Sequence, residues 1–316
     1  APGVKKVLEE MEADRLRKYP DPTASILVKE LASYYGLNED QVFVGVGSDD
    51  VLAMSFLTFF NSDKPVLFPD VTYSFYKVWA DLFKVPFETP VLKEDFTIDV
   101  KDYEKENGGV IFPNPNAPTG VYMPLDQVEE ILKANQDVVV IVDEAYVDFA
   151  GPSALELLDK YENLLVVQTF SKSRSMAGMR IGFAMGHPDL IRALNDVKYS
   201  YNSYTMNLPS LLAGVEAVKD KEYFEKTIEK IVATREHAKK RLTELGFTFP
   251  NSQSNFIFAS HKSVPAEKIF EALKKEQIYV RYFKTPGLDN SLRISIGTDE
   301  EMDTLFRFLE AYLPNA

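Results

Sequence analysis

The feature that most constrains this chain is an alternation of short apolar runs with stretches of helical spacing. The runs are Gln41 to Gly45, Pro65 to Phe68, Gly109 to Phe112, Val138 to Val142, Leu164 to Gln168 and Gly182 to Met185. A strand with one wet face carries a polar residue at every second position. Most of these runs do not, so both faces are expected to be buried, as in a parallel sheet covered by helices on each side. Helices are expected between them, over Asp49 to Phe60, Ser74 to Phe83, Leu125 to Ala134 and Pro188 to Lys198. This is α/β order with a mostly parallel sheet.

From about Lys219 the texture changes to a long charged helix through Leu245, with Ile228, Ile231, Val232, Ala238 and Leu242 near helical spacing. A second pattern comes after it: strand Asn255 to Ala259, helix Ala266 to Glu276, strands Tyr279 to Tyr282 and Leu292 to Ile296, and a closing helix Glu300 to Tyr312. With 316 residues there is room for two unequal units. The expected division is 25–220 for a large unit and 1–24 plus 221–316 for a smaller α+β unit, with an opening helix near Val4 to Arg15 packed in the latter.

A net charge of -13 opposes sequence-independent binding to nucleic acid or anionic lipid. Cysteine is absent and only His187, His237 and His261 are present, so thiol nucleophiles are excluded and a histidine-rich metal centre is not expected. No apolar run approaches the roughly 18 to 20 residues of a membrane span. The opening Ala1-Pro2-Gly3-Val4 has neither a basic segment nor an apolar signal core, and a cytoplasmic location is expected.

In open parallel sheets ligands sit beyond the carboxyl ends of the strands, so the residues immediately after each run are informative. Val138 to Val142 leads into Asp143-Glu144-Ala145-Tyr146. A carboxylate there is poorly solvated and stays ionised only with a positive partner; a helix cap or structural ion pair is the alternative. Leu164 to Gln168 leads into Thr169-Phe170-Ser171-Lys172, with Arg180 eight residues beyond the lysine. A desolvated lysine beside a cation can act as an amine nucleophile, and a forked guanidinium suits a phosphate. A solvent-facing lysine in a Ser-rich turn stays open as the rival.

Gln41 to Gly45 leads into Val46-Gly47-Ser48-Asp49, where free N–H groups at a helix start make an anion site, or where Ser48 or Asp49 simply caps the helix. Beyond Pro65 to Phe68, the ring of Tyr73 could lie on a flat ligand or merely pack. Beyond Gly109 to Phe112, the turn Pro113 to Gly120 is rigid enough to aim an amide into a cleft.

In this order, YPDP (Tyr19 to Pro22), VGSDD, DVTYSFY, NPNAPTG, VDEAYVDF, TFSKSRSMAGMRIGF and LRISIGT resemble the fold-type I pyridoxal-phosphate aminotransferases, most closely the histidinol-phosphate aminotransferase family. The resemblance covers nearly the whole chain. It implies a seven-stranded, mostly parallel sheet sandwiched by helices, pyridoxal phosphate as cofactor, and transamination between L-histidinol phosphate and 2-oxoglutarate in histidine biosynthesis.

Residue by residue, it implies that Lys172 carries the cofactor and shuttles the proton, that Asp143 pairs with the ring nitrogen, that Tyr146 bonds the phenolic oxygen and that Tyr73 stacks on the ring. Ser48, Asp49, Thr169, Ser171 and Arg180 would hold its phosphate, joined by Tyr19 from the neighbouring subunit of a homodimer. Asn255, Arg281 and Arg293 would meet a phosphorylated substrate. The family's Asn before Pro-Thr-Gly is Ala117 here, which leaves Asn116 or Asn114 for the phenolic oxygen, and its Asn-Glu-Asn-Pro segment has no counterpart in these 316 residues. An aromatic or broad-specificity aminotransferase, a threonine-phosphate decarboxylase and a non-catalytic cofactor-binding module share most of these motifs.

Overall fold

The computed structural model describes residues 1–316 apart from the side chain of Asn315. Among the described residues the principal elements run α1 (Pro2–Glu9), α2 (Ser25–Tyr35), β1 (Val42–Gly45), α3 (Ser48–Phe59), β2 (Val66–Leu67), α4 (Phe75–Phe83), β3 (Phe87–Glu88), β4 (Gly109–Pro113), α5 (Leu125–Ala134), β5 (Val140–Asp143), β6 (Leu164–Thr169) and β7 (Gly182–Gly186). The chain continues through α6 (Pro188–Tyr201), α7 (Leu208–Lys219), α8 (Lys221–Glu244), β8 (Phe247–Thr248), β9 (Phe256–His261), α9 (Ala266–Lys275), β10 (Arg281–Tyr282), β11 (Leu292–Ser295) and α10 (Asp299–Tyr312).

Seven strands form the large sheet in the order β1-β7-β6-β5-β4-β2-β3. Its centre is parallel, while β7 runs antiparallel to both β6 and β1. The segment from β6 to β7 contains only a short 3-10 turn, Ala177–Met179, and no helix of the kind that usually carries a chain across the sheet for a parallel return. The continuous apolar runs are explained by burial on both sides. In β5, Val140 and Val142 enter a core with residues of α2, α5 and α7, whereas Ile141 enters a core with residues of α3, α4 and α6.

The second sheet, β10-β11-β9-β8, is antiparallel. Its core takes Ala238 and Leu242 of α8, Ile269 and Leu273 of α9, and Leu305 and Leu309 of α10. Upstream on α8, Ile228 and Ile231 pack instead on a small cluster of Ala117, Tyr146, Phe149 and Phe256. One long helix therefore touches both units and reaches the turn beyond β5. Asp220 starts it, accepting a bond from Tyr223 N at 3.2 Å.

Two expectations are corrected. The opening helix is shorter than Val4 to Arg15 and packs on α7, its Val4 and Val7 against the large core rather than the small one. The approach is close: a Cβ on Gly3 would stand 2.9 Å from the Glu216 carboxylate of α7. Helix α2 lies outside the expected set. Asp21 anchors its start by accepting from Ser25 N at 2.8 Å, Leu27, Val28, Leu31 and Ala32 form its buried stripe, and Gly36 ends it at φ 70°. No helix among the described residues is long and apolar enough to cross a membrane.

Candidate active site

The strand ends converge on one cavity of about 250 Å³. Asp143 closes β5 and is 5% exposed. The β5 alternation turns it toward the α3–α4 side, where the fully buried Tyr76 donates to its Oδ2 at 2.8 Å; among the described residues its Oδ1 has no partner. Burial pushes its carboxyl up to about 6, although the Tyr76 hydroxyl pulls the other way. Lys172, three residues past β6, lines the same cavity, with Nζ 5.4 Å from the centre of the Tyr146 ring. Tyr146 is held edge-on against Phe256 of β9 at 5.0 Å, so the small unit forms part of the wall.

The anion side is built from three segments. Helix α3 starts at Ser48 with Gly47 before it at φ 84°, and no side chain bonds its first N–H groups, which therefore present a positive end. Thr169 Oγ1 and Ser171 Oγ lie 3.0 Å apart. Arg180, itself left-handed at φ 50°, brings its guanidinium to Asp49 at 3.8 Å. A Cβ on Gly47 would stand 2.5 Å from Arg180 Nη2, and one on Gly182 only 2.2 Å from the Gly47 and Ser48 backbone. Gly182 is thus required for strand β7 to approach the start of helix α3, while Gly47 is favoured by its positive φ and leaves room for the Arg180 guanidinium. Tyr73 donates to Asp49 Oδ1 at 2.9 Å, and burial, followed by that carboxylate, pushes its phenol up.

Ser48, Asp49, Tyr73, Asp143, Tyr146, Thr169, Ser171, Lys172, Arg180 and Arg293 therefore all line one cavity. Five sequence candidates do not. Asn116 spends its Nδ2 on Val71 O and Thr119 Oγ1 at 3.0 Å each, its Oδ1 has no partner among the described residues, and Ala117 takes the wall position. Asn114 is no substitute, because its amide is bonded in both directions to the Met123 backbone. Asn255 accepts from Ile296 N through its carbonyl. Arg281 is exposed on β10, in register with Arg293 of β11. Tyr19 is 82% exposed and lies against Tyr204, ring centres 4.7 Å apart. Sequence reasoning missed Tyr76. Its spacing three residues after Tyr73, at the start of an amphipathic helix, was the available signal.

The profile of the family Aminotransferase class I and II matches residues 2–309. A histidinol-phosphate aminotransferase of Brachyspira hyodysenteriae is 51% identical over 316 residues, covering 100% of this chain and 89% of that one. The crystal structure of the Clostridium acetobutylicum histidinol-phosphate aminotransferase superposes with a TM-score of 0.91 at 23% identity, covering 100% and 96% of the two chains. The Sinorhizobium meliloti enzyme, in complex with pyridoxal-5'-phosphate, gives 0.88 at 25% identity, covering 99% and 86%. The chain belongs to the class I and II aminotransferase family, within its histidinol-phosphate aminotransferase group.

Proposed function

We propose that this aminotransferase holds pyridoxal phosphate in the 250 Å³ cavity and moves an amino group from glutamate to imidazole-acetol phosphate, yielding L-histidinol phosphate and 2-oxoglutarate. The observation that carries the reading is the union, in one cavity, of the Lys172 amine, a buried carboxylate with an unclaimed oxygen, and an anion cradle. The residues fit the cofactor on chemical grounds. A phosphate needs several donors at short range, and α3, Thr169, Ser171 and Arg180 supply them. A cationic ring nitrogen needs a buried acceptor, and Asp143 Oδ1 is one.

When bound, pyridoxal phosphate supplies an electron sink for charge at the substrate α-carbon. Lys172 Nζ would hold the group covalently and, once released, would carry a proton from the donor's α-carbon to the cofactor and, in the second half-reaction, from the cofactor to the acceptor's α-carbon. Asp143 stays ionised against the ring nitrogen, Tyr146 donates to the phenolic oxygen, and Tyr73 covers the ring. Arg293 in the cavity and Arg281 beside it meet a phosphate-bearing substrate, with Asn255 on the same β9–β11 surface. Residues 25–220 act as the cofactor-binding unit and 221–316 as the smaller unit, which contributes Arg293 to the cavity. Tyr19 and Tyr204 form an exposed aromatic pair, which supports a homodimer in which Tyr19 reaches the partner's cofactor phosphate. Its small-molecule chemistry, with glutamate as donor, fits the cytoplasm.

The test is turnover on histidinol phosphate and on phenylalanine, with 2-oxoglutarate as acceptor. Lys172→Ala is expected to abolish turnover and the borohydride-fixed covalent attachment of pyridoxal phosphate. Arg281→Ala is expected to lower kcat/KM for histidinol phosphate by about tenfold or more, the effect of losing a charge-assisted bond, and to spare phenylalanine, whereas Arg293→Ala is expected to lower both, because a guanidinium inside the cavity also meets the phenylalanine carboxylate. Equal losses on both substrates in Arg281→Ala would remove the phosphorylated substrate from the proposal.

A further inference from the structure

Tyr76 takes no part in the proposed chemistry, yet it is the one side chain bonded to Asp143 among the described residues. Its ring is packed among Phe56, Phe68, Tyr73 and Trp79. Its hydroxyl meets Oδ2 of the carboxylate and leaves Oδ1, equally buried, open. A carboxyl group turns broadly about its last torsion, so nothing in the aspartate itself decides which oxygen faces a ligand. Burial and the Asp143 charge also push the Tyr76 phenol well above its ordinary range, so it remains a donor at every working pH.

We propose that Tyr76 is a positioning residue: by occupying Oδ2 it fixes the carboxyl plane, keeps Asp143 ionised, and presents Oδ1 to the protonated ring nitrogen of the cofactor. This rests on the proposed cofactor assignment. The hydroxyl does not touch the reacting atoms. It acts through the aspartate, and its removal changes how strongly the site distinguishes a ring nitrogen from a ring carbon.

The experiment compares two ligands on cofactor-free full-length protein: pyridoxal phosphate and its 1-deaza analogue, in which C–H replaces the ring nitrogen. Wild type is expected to favour pyridoxal phosphate. Tyr76→Phe keeps the packed ring and is expected to lower that preference by about tenfold, the loss of one hydrogen bond to a charged group, while affinity for the analogue holds. If both affinities fall equally, Tyr76 is merely structural and the proposal is overturned. If wild type shows no preference at all, the pairing of Asp143 with the ring nitrogen fails and the proposal with it, whereas failure to bind either ligand overturns the cofactor assignment instead. A second measurement tracks the Asp143 carboxyl by ¹³C NMR in the cofactor-free proteins. Its protonation is expected at higher pH in Tyr76→Phe, with the Ala145 N–H, Asp49 of α3, Lys172 after β6 and Tyr73 as the other groups acting on it. An unshifted midpoint counts against the proposal, as does an unfolded Tyr76→Phe, which would make the hydroxyl a requirement of the fold.

Discussion

At position 143 the demands of function and stability conflict. A carboxylate displaced from the ordinary 3.8 to about 6 binds its proton more tightly in the folded chain than in the unfolded one. Folding is therefore favoured at low pH, and that advantage is lost as pH rises from about 4 to 6. At about 1.4 kcal/mol for each tenfold in proton affinity, the penalty in the cofactor-free protein above pH 6 is of order 2 to 3 kcal/mol. Asp143→Asn, which still offers Tyr76 an acceptor, is expected to be more stable than wild type by roughly that amount at pH 7 and no more stable at pH 4, read by urea denaturation. The same variant should lose transamination.

The neighbouring Glu144 is pushed up to about 7 by burial, although Ser153, the Ala154 N–H and Gln168 all bond it. Its penalty persists in Asp143→Asn, so that variant should keep a residual decline toward pH 7. The residues Lys172, Asp143 and Arg180 were legible in sequence because each lies in or just beyond the end of a buried strand or the turn it opens. Asn116 was not, because an amide's direction depends on which backbone groups its own turn leaves unsatisfied.

Among the elements, the junction of β1, β7 and α3 carries the most constraint. Gly45 pairs with Gly182, and an added methyl at 182 meets backbone rather than a side chain that could swing away. Gly182→Ala is expected to cost about 1 to 3 kcal/mol by overpacking and to weaken pyridoxal phosphate binding, measured by thermal melting and by cofactor titration. Gly186→Ala, whose methyl would meet the Leu165 side chain at 3.0 Å, is expected to be milder and to leave cofactor affinity unchanged. The central strands were readable because double burial removes polar alternation. The two-residue strands β3 and β8 were missed because so short a span carries no period, while β10 falls inside the expected 279–282. Helix α2 escaped notice because its anchor, Asp21, lies four residues before the first helical position it bonds.

At the scale of the whole molecule, the exposed Tyr19 supports sharing of sites across a two-fold axis. If Tyr19 serves the partner's cofactor, Tyr19→Phe and Lys172→Ala proteins mixed under subunit exchange should give more turnover than the Tyr19→Phe protein, weakened in cofactor affinity, shows by itself. The hybrid regains one complete site, containing its own Lys172 and a Tyr19 supplied by the other subunit. Mixing without recovery would place Tyr19 in its own subunit's site or in none. What the sequence alone determined was the class of fold, the family and the chemical types gathered at the strand ends, since burial periodicity and motif order are local properties of the chain. Which carboxylate oxygen is free, which asparagine is unavailable, where the first helix docks and how α8 brings the small unit against Tyr146 were decided only by tertiary packing. Each depends on groups distant in sequence competing for the same space and the same hydrogen bonds.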